Sequence, residues 1–114
     1  MKEIKLKELL NTDRLISSKD SLKLKKLLEK EINKGEKVIL DFEGIDIAIT
    51  RFFHQSIGSL YGEFDFDKVD NLIEFKNTSK PMLFMVNKAI SSAKKYYKNP
   101  EKYKKIDEEA YAML

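Results

Sequence analysis

Asp41 and Glu43 stand two residues apart in the run V-I-L-D-F-E-G, which begins at Val38. Two carboxylates that close can share a divalent cation or divide the work of general acid and general base. Thr50 and His54, the single histidine, lie four residues apart. A hydroxyl beside an imidazole is the raw material of an activated nucleophile. Nearer the C-terminus, Lys94, Lys95, Lys98, Lys102, Lys104 and Lys105 alternate with Tyr96, Tyr97 and Tyr103. Lysines neutralise phosphates and tyrosines stack on bases, so this stretch has the chemistry to hold nucleic acid.

Each set also has a plain structural reading. Asp41 and Glu43 can close a corner after a strand, and no further ligand follows at fixed spacing, so neither metal nor cofactor is expected. Thr50 and His54 come with no orienting acid and no oxyanion glycine. His54 then reads as a solvent-facing helix residue. Thr50 reads as a helix cap, at a position that also suits a phosphate, because a helix N-terminus favours negative charge. Tyr96 and Tyr103 fit apolar stripes, and arginine, the better reader of phosphate, occurs only at Arg14 and Arg51. Phosphate-cradling glycine loops, G-x-S-x-G and H-E-x-x-H are all missing from the sequence. The chain is therefore read as not an enzyme.

The elements that must position these groups follow from composition and periodicity. A chain of 114 residues with 42% hydrophobic and 36% charged residues fits one domain over residues 1–114. Cysteine is absent, which excludes disulfides and thiolate sites and suits a reducing compartment. The N-terminus has no signal-like apolar run, and nothing approaches the roughly 18 apolar residues of a membrane span, so a cytoplasmic protein with no membrane partner is expected. Charge is unevenly spread. Asp41, Glu43, Asp46, Glu63, Asp65, Asp67, Asp70 and Glu74 face only Arg51 and Lys68 over residues 41–74, whereas the lysines of residues 88–105 face only Glu101.

Alternation over residues 2–6 predicts an edge strand, and residues 12–16 a second extended piece. Ser17 to Asp20 matches a capping box ahead of Leu24, Leu27, Leu28 and Ile32, a helix that should end near Gly35. Residues 38–42 read as a central, doubly covered strand. Ile45, Ile47 and Ile49 alternate with Asp46 and Ala48 as a brief strand, and Phe53, Ile57, Leu60 and Tyr61 mark a helix ending by Gly62. Residues 63–70 read as an acidic loop and 71–75 as a strand. Thr78, Ser79 and Pro81 start another helix. After Asn99-Pro100, a last helix is expected with Tyr103, Ile106, Ala110 and Met113 on one face. The order is about β(β)αβαβαα, an α/β fold with helices on a small mixed sheet.

V-I-L-D-F-E-G-I, an isoleucine-threonine corner and F-F-H-Q-S-I-G-S-L resemble the STAS-like domains of unknown function, relatives of the anti-sigma-factor antagonist fold. The resemblance covers residues 13–97 and leaves residues 98–114 as a C-terminal helix beyond it. It implies a mixed four- to five-stranded sheet with helices largely on one side. It also implies a regulatory, non-enzymatic domain that switches partners, the partner being a kinase-like ATPase or a regulatory factor. A serine or threonine at the start of the second helix is the family's phosphorylation site, and Thr50 falls at or beside it. Arg51 and Phe52 stand where relatives carry small or polar residues, and His54 and Gln55 where an acidic pair is common. The expected docking surface is therefore Glu43, Asp46, Thr50, Arg51, Phe52, His54 and Gln55, with an exposed Phe52 as anchor. The other reading is a small nucleic-acid-binding protein using residues 88–105.

Overall fold

The computed structural model describes residues 1–98. Strands β1 (Lys2–Lys5), β3 (Val38–Asp41) and β5 (Ile73–Lys76) form one sheet in the order β1-β3-β5. Both pairings are parallel, with Ile4 beside Leu40 and Leu40 beside Phe75. Strands β2 (Arg14–Leu15) and β4 (Ile47–Ala48) form a separate parallel pair. The strand segments fall close to where the sequence places them, with β5 two residues later than expected, but they divide into sheets of three and two, and every pairing is parallel rather than mixed. Parallel partners need long crossovers, and the helices supply them.

Burial explains the strand order. Val38 and Leu40, on one face of β3, are fully buried, while Ile39 on the other is half-buried, so the double cover expected of this central strand is incomplete on that face. The flanking strands bury far less: Ile4 in β1 and Ile73 in β5, with Lys2, Glu3, Lys5, Glu74 and Lys76 exposed. Charged outer strands resist further pairing. Glu3 and Lys76 form an ion pair (2.9 Å) that reaches from one outer strand to the other.

Helix α1 (Leu6–Leu10) is not anticipated by the alternation, which runs on through Leu6. The chain turns helical there because Leu6 and Leu10, four apart, both reach the core. Helix α2 (Ser18–Asn33) follows its sequence signals closely. The Ser17 hydroxyl accepts from the Asp20 N–H at 3.0 Å. Gly35, at φ +71, takes the left-handed position after the helix and donates to the Ile32 carbonyl.

Helix α3 (Thr50–Ser56) runs into a 3₁₀ turn over Gly58–Gly62. Phe42, Phe53 and Phe75 meet at 6.1 and 6.2 Å between ring centres, joining β3, α3 and β5. Helix α4 (Phe66–Leu72) replaces the acidic loop expected over residues 63–70, and β5 accordingly starts at Ile73. Phe66 sits edge-on to Tyr61 at 5.7 Å and Val69 is fully buried, so packing organises a segment that its acids alone would leave open. Asp70 is held too: it accepts from the Tyr61 hydroxyl (2.6 Å) and the Lys94 ammonium (2.7 Å).

Helix α5 (Lys80–Lys98) starts at Ser79, whose hydroxyl accepts from the Met82 N–H, and buries Met82, Val86, Ala89 and Ala93. It packs on α3 and on the 3₁₀ turn. A side chain at Gly62 would run into the Tyr97 ring, so glycine sets how closely α5 approaches. The expected last helix, with Tyr103, Ile106, Ala110 and Met113, lies outside the described residues.

Candidate functional site

The corner after β3 is built by Asp41. Its carboxylate is buried and accepts from the Glu43 N–H and from Asn77 Nδ2, each at 2.9 Å. These hydrogen bonds, Asn77 first, hold the carboxyl below the usual range. Asn77 follows β5 in the left-handed conformation, at φ +58, so Asp41 clasps the ends of two neighbouring strands. Glu43 is exposed one step further on. Asp41 is thus committed to structure, and the carboxylate pair of the sequence closes a corner. Among the described residues no cluster of His, Asp and Glu could hold a metal ion.

Gly44 makes the turn at φ +82, with the Lys7 side chain across it. From there the backbone is tied to the segment ahead of α2. Asp46 and Ile47 donate to the Asp13 carbonyl, and Ile49 donates to that of Leu15. Two isoleucines here are exposed, Ile47 in β4 (42%) and Ile16 just past β2 (41%). Arg14 is the register partner of Ile47, and Arg51 is exposed in the first turn of α3. Arg14 thus lies beside an exposed aliphatic side chain of the β2–β4 pair.

Helix α3 corrects several expectations. Ile49, not Thr50, is the cap residue, and no side chain caps the helix. Thr50 is already helical and half-buried. Phe52, expected as an exposed anchor, is buried and packs edge-on against Phe53 at 5.7 Å. His54, expected to face solvent, is buried as well. The reason is common to both: α3 packs against α2 and α5 together, so nearly its whole circumference is covered. Burial, and then the charge of Lys88, pushes the His54 imidazole below its ordinary value. Gln55 accepts from the Ser21 hydroxyl at 2.7 Å, joining α3 to α2. Of the seven expected docking residues, Glu43, Asp46 and Arg51 are exposed, Thr50 and Gln55 are half-buried, and Phe52 and His54 belong to the core.

The lysine-rich set divides likewise. Lys94 pairs with Asp70 and lies over the Tyr61 ring at 5.5 Å. Lys95 and Lys98 are exposed on α5, while Tyr96 and Tyr97 pack against each other and the core. Lys102, Lys104 and Lys105 lie outside the described residues. Two features escaped the sequence reading. Phe84, 68% exposed, lies off the buried stripe of α5, which its spacing from Met82 and Val86 could have shown. The outward isoleucines are implied by the alternation over residues 45–49, which puts apolar side chains on one face without saying whether that face is covered.

No helix among the described residues is long and apolar enough to cross a membrane. A family model described as a STAS-like domain of unknown function matches residues 22–83, more than half of the chain. It spans α2, β3, the corner, α3, α4, β5 and the start of α5. No curated protein and no solved structure matches the chain.

Proposed function

The chain belongs to the family of STAS-like domains of unknown function, and from that premise we propose that it is a non-enzymatic regulatory domain that docks a protein partner through the corner after β3. The surface consists of Glu43, Asp46, Ile47, Thr50 and Arg51, with Arg14 and Ile16 alongside. The observation that carries the reading is the pair of exposed isoleucines, Ile16 and Ile47, with Arg14 in register beside Ile47. The buried centre of an interface is more apolar than the rest of a protein surface, and arginine is enriched there. The strand order supports the relation to the parent fold. Both crossovers step the same way across the sheet, so under the right-handed rule they return over one face.

The partner in this reading is a kinase-like ATPase or another regulatory factor, met in the cytoplasm. A phosphate on Thr50, in the first turn of α3, would add negative charge beside Arg51 and change the docking surface. The test is co-purification from native cells using the wild type, Arg51→Glu, Ile47→Asp and Thr50→Glu. Recovery of a common partner should fall with the first two and change with the third. Recovery unchanged in all three would remove this surface. Phe52→Ala does not serve as a surface probe, because the ring is in the core. For nucleic acid, exposed Lys95 and Lys98 are the described cations to test, by binding to random duplexes over a salt series.

A further inference from the structure

The outward side of α2 carries a second surface. Lys19, Lys23, Lys26 and Lys30 follow one another at i, i+4, i+7 and i+11, and all four are exposed. They form one row along the helix, about 16 Å long at 1.5 Å per residue. Lys25, on another side, is paired with Glu63, and Lys23 donates to the Leu9 carbonyl at 3.0 Å. Among the described residues, no carboxylate comes within ion-pair distance of Lys19, Lys26 or Lys30. Inside this row Leu22 is 49% exposed. Leu22, Leu10 of α1 and the lysine stems line a groove of about 560 Å³, with Asp20 at one end.

The composition of the surface selects its occupant. It has no aromatic ring on which a base could stack and no arginine to fork a phosphate. A membrane-lying helix would need a whole apolar face free, and the apolar face of α2 (Leu24, Leu28 and Ile32) is buried in the core. What remains is an aliphatic floor with a cationic rim. We propose that the groove between α1 and α2 seats an acidic, aliphatic-faced helix of a partner protein. Its aliphatic ridge lies against Leu22, over the edge of the buried Leu10, and its flanking carboxylates meet Lys19 and Lys26 in the groove and Lys30 further along the row. The Asp20 carboxylate repels acids at its end of the groove and so restricts the register of the incoming helix.

The surface is separate from the corner of the proposed function and is tested separately. The probe is a short synthetic helix with leucines one turn apart and glutamates on both sides of them. Its binding to the full chain is followed by fluorescence anisotropy at low and at physiological salt. Lys19→Glu with Lys26→Glu should weaken binding by about tenfold or more. Leu22→Asp should weaken it by about the same factor, whereas Arg51→Glu should leave it unchanged. All these side chains are exposed, and circular dichroism of each variant verifies that the fold is kept. The inference is overturned if the synthetic helix does not bind at low salt or if the α2 variants bind it like the wild type. It is equally overturned if polyglutamate of equal charge, duplex DNA or anionic vesicles bind as tightly. Those outcomes leave the corner reading standing, just as loss of the corner partner on Arg51→Glu leaves this one standing.

Discussion

Helices α2 and α3 touch each other through Ser21 and Gln55, yet they divide their side chains in opposite ways. α2 buries Leu24, Leu28 and Ile32 and leaves a row of lysines to solvent. α3, shorter, buries Phe52, Phe53, His54 and Ser56 and shows chiefly Arg51. A helix on the outside needs one apolar stripe, while a helix between two others is covered nearly all round. The adjacent aromatic pair of α3 therefore marks the core, and the surfaces that α2 and α3 leave for recognition are aliphatic and charged. The residues that look most like an anchor in the sequence hold the anchoring surface in place instead.

The comparison breaks most visibly by truncating α3. Phe52→Ala should destabilise the protein by about 3–5 kcal/mol, the range for a buried aromatic ring, in chemical denaturation. A loss below about 1 kcal/mol would mean that Phe52 is a surface residue after all. Asp41→Ala comes next, at about 2 kcal/mol, because it leaves the Glu43 N–H and the Asn77 amide without their acceptor. The Asp41 carboxyl is held below its ordinary 3.8 in the fold, so its contribution is complete above that value and is lost as pH falls through the folded value. Wild type and Asp41→Ala should therefore converge in strongly acidic solution.

His54 sharpens the contrast at milder pH. Its imidazole is held below 6.5 in the fold, so on acidification the unfolded chain takes up a proton before the folded one. Stability should fall as pH drops through about 6.5, well above the window of Asp41. His54→Gln should flatten that part of the profile, measured by denaturant midpoints from neutral to mildly acidic pH. The smallest effect belongs to the outer face of α2. Lys26→Glu should change stability by no more than about 0.5 kcal/mol, which a thermal melt can read.

What the sequence discloses is what neighbours in the chain decide. The Ser17 cap, the Gly35 stop, the apolar run of β3 and the Ser79 start are local devices, and each stands where its residues place it. The corner is legible in the same way, since an acid two residues ahead of an N–H can close on it. Helix α4 is not legible, because its acids favour a loop and only the Tyr61 ring and the buried Val69 tip the balance. Nor are the burial of His54 and Phe52, which depends on α5 arriving from far along the chain. The separation of β2–β4 from the larger sheet has the same origin: strand pairing is a long-range decision that the period of a segment does not encode.

The all-parallel pairing has a consequence for how the molecule comes into being. A hairpin would offer an early, local pair of strands, but none exists among the described residues. Lys2 waits for Val38, and Val38 waits for Ile73, so each ladder closes a loop of about 35 residues before its first hydrogen bond forms. Helix α2, with its own cap and stop, can form while the chain is still being made. The clasp between Asp41 and Asn77 must wait until residue 77 has left the ribosome. The corner is then completed well after α2 can form, and a nascent chain carries its lysine row before it carries its corner.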